Sequence, residues 1–175
     1  MSSRINICDI VLGHFRTLRQ TNNKMGKVEL LVFILVPIIL SVGIIFIPLN
    51  NKEIISLLVN LGSIFSALLL SVLVLVFDQE QKLEDRMEIA VEKGRAVDPL
   101  FAIKKAVLEE LYYNISYSIF CSIMLVTLCL VYSTVKHVPI LHAYILKPII
   151  AFMLINILLN ILMILKRMHT LLVNR

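Results

Sequence analysis

The sequence predicts an all-α, polytopic membrane protein with four spans arranged as two helical hairpins and a helical stalk between them. Three observations lead there. Hydrophobic residues make up 59% of the 175-residue chain and mean hydropathy is +0.90, where a soluble domain has about 45–50% apolar residues. The apolar residues gather in four runs, at 30–49, 54–77, 113–135 and 140–165, each near the roughly 20 residues a helix needs to cross a bilayer. The runs do not alternate as a membrane β-strand does, and lipid offers backbone groups no hydrogen-bond partner, which leaves helix as the spanning state.

The N-terminal segment, 1–29, opens "MSSRINICDIVLGHFR". It has no small-residue cleavage site after a short apolar run, so no signal peptide is expected. Ser2 or Ser3 caps a helix on which Ile7, Val11, Phe15 and Leu18 share one face, with Arg4, Arg16 and Arg19 on the polar side. Such a helix lies in the membrane interface or packs on the stalk, and "QTNNKMGK" leads from it into the first span.

The first hairpin, 30–77, turns at "PLNNKE". Its second helix meets water near Asp78 but does not stop there. "DQEQKLEDRMEIAVEKG" consists of strong helix formers, with Leu83, Met87, Ala90 and Val91 on one face and Gly94 as the stop. Asp98 as N-cap and Pro99 at the first helical position restart the chain. "LFAIKKAVLEEL" then sets Leu100, Ile103, Val107 and Leu111 in one stripe leading into the third span. Residues 78–111 are therefore expected to form an antiparallel stalk. The second hairpin, 112–165, turns at "STVKHVP", and 166–175 is a basic tail.

Basic residues set the direction. Fourteen of the Lys and Arg residues lie in the N-terminal segment, the stalk and the tail, against only Lys52 and Lys136 in the two turns. Both termini and the stalk are thus expected in the cytoplasm. Tyr112, Tyr113 and Tyr117 at one end of the third span, and Tyr132 and Tyr144 at the other level, fit interfacial belts. The net charge of +5 is modest, and the longest polar segment carries more acids than bases, which argues against direct nucleic-acid binding.

Catalytic and metal patterns do not assemble. Cys8, Cys121 and Cys129 are an odd set without framework spacing. His14, His137, His142 and His169 are scattered, and Pro139 breaks any helical pairing of His137 with His142. There is no HExxH, GxSxG, glycine-rich phosphate loop or CxxC, so no enzyme activity, metal or cofactor is expected.

Three groups of residues stand out instead. Asn60, Ser63, Ala67, Ser71, Val74 and Asp78 follow one face of the second span. They read as a pore lining or an interface, against ordinary packing of small residues. Asn156 and Asn160 share a face of the fourth span with Met153, Met163 and Arg167. An amide at bilayer depth needs a partner; Asn60, Ser63 and Ser118 are candidates, and Asn114 has the same need in the third span. Glu80, Glu84, Asp85, Glu88 and Glu92 run along one side of the stalk, as a solvated face or as a docking surface for a basic partner.

"SIFSALLLSVLVLVFDQ", followed by a charged helix and two further spans, resembles small four-span membrane proteins of bacterial anti-phage defence loci, such as the membrane component of the two-protein Kiwa system. The resemblance implies an oligomeric inner-membrane protein working with a cytosolic effector. The expected function is thus a homo-oligomeric subunit that senses or transmits a membrane event and docks a cytosolic protein partner, with membrane lipid around it. A pore-forming, depolarising effector and an accessory transporter subunit are the alternatives.

Overall fold

The computed structural model describes residues 7–19, 25–44, 52–94, 99–135 and 141–173. Among the described residues every regular element is a helix: α1 (Ile7–Arg19), α2 (Met25–Gly43), α3 (Lys52–Glu92), α4 (Phe101–Thr134) and α5 (Lys147–Val173), the last entered through a π-helical turn at Leu141–Leu146. That turn ends two residues before Pro148, whose ring and missing N–H are incompatible with an unbroken i→i−4 ladder. Three helices, Glu53–Glu92, Phe101–Thr134 and Tyr144–His169, are long and apolar enough to cross a membrane, and Leu31–Gly43 is a shorter apolar helix. This is the pattern of a membrane protein. The far end of the first expected span, the central residues of both turns, and Ser2, Ser3 and Asp98 lie outside the described residues.

The helix of the second span passes Asp78 without a break and runs 41 residues, about 60 Å at 1.5 Å per residue. It stops as the sequence predicts. Gly94 takes φ +59, the left-handed conformation that a side chain resists, and its N–H donates to Val91 O at 3.1 Å. The start of α4 differs from expectation by two residues. Pro99 and Leu100 form a turn, Leu100 O accepts the first helical bond from Lys104 N–H at 2.9 Å, and Phe101 is the first helical residue. The tail also differs, since α5 continues to Val173 through residues that favour helix.

Lipid tails are as apolar as leucine, so close packing rather than exclusion of water holds such helices together. Here α4 is the hub. Along one side it takes α3, where Leu69 and Val76 meet Leu108, Leu111, Ile115 and Ile119, with Ile164 of α5 completing the cluster. Along another side it takes α5, where Tyr117, Cys121, Leu125 and Cys129 meet Ile150 and Ile157. Leu83 and Val107 continue the α3–α4 contact beyond the apolar run. The first hairpin is packed differently from the simple expectation. α2 rests on α5 and α1, not along α3. From Leu31 to Gly43 it is apolar on nearly every side, so its own pattern selects no face and no partner.

At Gly62 the α3 and α4 backbones approach closely, and an added Cβ would lie 2.8 Å from Val126 Cγ2 and 3.3 Å from Ser122 O. Gly62→Leu is expected to destabilise the purified protein by about 1–3 kcal/mol. Gly43→Ala, where an added Cβ meets open space, should change little by the same measure, thermal unfolding in mild detergent.

Candidate functional site: a buried polar joint of three helices

The expected apolar face of α1 is divided: Val11 packs against the core, while Ile7 and Phe15 are exposed. Ile10, His14 and Thr17 also pack, with Gly13 against α4. An added Cβ on Gly13 would fall on the ring of Tyr113, so only glycine permits this approach. His14 is 1% exposed, and its ring stacks on Tyr117 with centroids 4.0 Å apart and planes within 2°. Its edge reaches Asn114, with Nδ1 2.8 Å from Oδ1.

The hydrogen-bond inventory fixes the roles. Thr17 Oγ lies 2.7 Å from His14 O and 3.0 Å from Asn114 Oδ1, yet a hydroxyl has one proton. Asn114 Nδ2, as placed, is buried without a partner. Exchanging the amide oxygen and nitrogen, which are nearly equal in size and shape, resolves both. Thr17 then donates to His14 O, while the amide donates to Thr17 Oγ and to Nδ1 of a neutral His14 protonated at Nε2. The unmatched group becomes a carbonyl oxygen, which costs less than a buried N–H left unmatched.

α5 closes the joint. Arg167 Nη1 lies 2.9 Å from Glu110 Oε2, with both side chains largely buried. Arg167 Nη2 donates to Thr17 O at 3.3 Å, placing a cation at the C-terminal end of α1, where the helix dipole favours it. One arginine thus holds a carboxylate of α4 and a carbonyl of α1. Burial drives the pKa of His14 down to about 4, and the Arg167 charge adds to it. Beside the joint, Asp9, Arg16, Glu109, Glu110 and Tyr113 line an open cleft of about 580 Å³ between α1 and α4. His14 is sealed from that water, so the arrangement is a fastening between helices.

The predicted residues fall in three places. Asn114 is in the joint. Asn156 and Asn160 are buried but bond along their own helix, Asn160 Nδ2 donating to Asn156 O at 2.9 Å and Oδ1 at 3.0 Å. Asn60, Ser63, Ala67 and Ser71 are exposed on the outer face of α3, so they do not serve the packing of this protomer. Ser63 donates to Val59 O and Ser71 to Ala67 O. Of the acids, Asp78 pairs with Lys82 at 2.6 Å and Glu84 with Lys105 at 2.6 Å, and Glu84 raises the pKa of Lys105 by accepting its hydrogen bond. Asp85, Glu88 and Glu92 are exposed, and Glu80 is half-buried.

Sequence reasoning passed over His14, Thr17 and Glu110. The signal present was His14 and Thr17 one turn apart on a helix of otherwise sided pattern. No group of three potential metal ligands occurs among the described residues. No protein family, curated protein or solved structure matches this chain.

Two outcomes are expected. Asn114→Ala should cost about 1–3 kcal/mol by stranding its partners, and hydrogen exchange in α1 should rise more than in α4. The folded pKa of His14 is below the free value of 6.5, so the unfolded or undocked form binds the extra proton. Docking of α1 is therefore complete above pH 6.5 and weakens as pH falls from there toward about 4. Exchange in α1 should rise across that window, and His14→Gln should flatten the profile.

Proposed function

We propose that the protein is a non-enzymatic, homo-oligomeric subunit of the inner membrane that assembles through the outer face of α3 and transmits a membrane event to a cytosolic effector. In this reading α2, α3, α4 and α5 supply four spans, and the split of Lys and Arg residues places both termini and the paired polar ends of α3 and α4 in the cytoplasm. There the acids from Glu80 to Glu92 offer a basic effector a complementary surface. The resemblance to four-span proteins of anti-phage defence loci supplies the biological setting.

One observation carries the proposal. The stripe Asn60, Ser63, Ala67 and Ser71 is exposed on the protomer, while Ser118, Ser122, Asn156 and Asn160 of α4 and α5 are buried within it. α3 is an edge helix, with 17% of its most apolar stretch buried against 44% in α4. A small-residue face permits close approach of a second backbone, and an inter-protomer bond from Asn60 would add about 0.6–2 kcal/mol. The Ser63 and Ser71 hydroxyls already donate to their own helix. Such a face suits helix packing better than a water-lined path, which ranks assembly above the pore alternative.

Light scattering of the full chain in mild detergent should show an oligomer. Ser63→Leu with Ser71→Leu should weaken assembly about tenfold or more, equivalent to 1.4 kcal/mol, while leaving thermal unfolding of the protomer unchanged, because both positions are exposed. A wild-type monomer would overturn the proposal. Ion flux through vesicles that the wild type supports and the double variant abolishes would favour the pore.

A further inference from the structure

The joint fixes the height at which α1 sits. His14 stacks on Tyr117 of α4 and lies 6.3 Å from the ring of Phe33 of α2. Tyr117 and Phe33 both stand within the first turns of apolar runs, while Glu109 and Glu110, beside Asp9 and Arg16, line the polar cleft about two turns away. α1 therefore lies at the boundary between apolar and polar zones.

Its circumference is divided to match. One sector, Ile10, Gly13, His14 and Thr17, packs inward, and Val11 also packs against the core. A second, Asp9 and Arg16, faces the cleft. The third is apolar: Ile7 is 53% exposed, Leu12, which also borders the cleft, 65%, and Phe15, whose ring meets His14 and Tyr117 edge-on, 38%. Facing water, that sector would waste a large part of the helix's apolar surface. It is instead continuous in height with the start of α2, where Leu31, Val32 and Leu35 are exposed on an apolar helix. A helix with one strongly apolar side and one charged side, held at this level, has the form of an interfacial helix.

We infer that the Ile7–Leu12–Phe15 side of α1 is embedded in the headgroup layer of the membrane, with lipid acyl chains as its occupant, while its opposite side is bolted to α4 and α5. The membrane surface thereby acquires a direct mechanical connection to the hub of the bundle. The inference concerns lipid contact of one protomer and stands whether or not α3 mediates assembly.

The native thiols supply the probe. Cys8 is exposed beside the same sector, whereas Cys121 and Cys129 are buried, so a thiol-reactive fluorophore will label Cys8 selectively, with Cys8→Ser as the unlabelled control. The labelled full chain is placed in phosphatidylcholine–phosphatidylglycerol nanodiscs with a nitroxide on the upper acyl chain, or exposed to iodide in the buffer. Strong nitroxide quenching with weak iodide quenching is expected, and Leu12→Asp with Phe15→Asp should lower nitroxide quenching by about twofold or more. Iodide quenching without nitroxide quenching would put the sector in water and overturn the inference. Protection from both would mean that protein covers it, a second copy or a soluble partner, and would overturn it equally.

Discussion

A polar atom carried into an apolar helix bundle must be answered by another protein atom, because lipid supplies no donor or acceptor. Most polar residues of this bundle meet that demand locally. Ser118, Ser122 and Thr127 donate to the carbonyl four residues earlier on α4, and Asn160 turns back onto Asn156. Such bonds cost the chain no tertiary arrangement and specify none. Asn114 is the exception. Its amide reaches across to His14 and Thr17, so satisfying one residue of α4 recruits a separate helix one hundred residues away in sequence. The place of α1 depends on that demand.

The ion pairs fall into two kinds. Lys82–Asp78 and Lys105–Glu84 are short but half-exposed, and water and salt screen them, so they decorate the polar extension more than they hold it. Arg167–Glu110 is largely withdrawn from solvent, and removing either partner would strand a charge. The guanidinium suits this place because its planar fork can serve a carboxylate and a carbonyl at once. α1, α4 and α5 are thus joined by directional contacts, where α3 and α4 are joined by apolar contact alone over most of their length.

Much of this was legible in the sequence because membrane helices are written in hydropathy. The apolar runs, the continuation of helix through Asp78 to Glu92 and the stop at Gly94 follow from propensity and from one backbone requirement. The pairing of α2 with α5 and α1 was not legible, since a helix apolar on every side carries no mark of which side meets protein. The facing of α1 was only partly legible for a related reason. Of the expected apolar face, Val11 packs on the core while Ile7 and Phe15 stay exposed. At a membrane boundary the polar side can be the one that packs, and only the arrival of Asn114 and Arg167 from distant positions makes His14 and Thr17 the inner pair. The stripe on α3 was legible as a stripe, but its outward aim depends on which helices α4 has already claimed.

The unbroken length of α3 has a mechanical consequence. No proline interrupts it, and its single glycine, Gly62, is wedged against α4, so it has no hinge at the level of Asp78. A small rocking or axial rotation of its apolar half is reproduced at Glu92 with the leverage of an oar in its rowlock. Whatever grips the blade feels the stroke made at the handle, without any segment having to unfold.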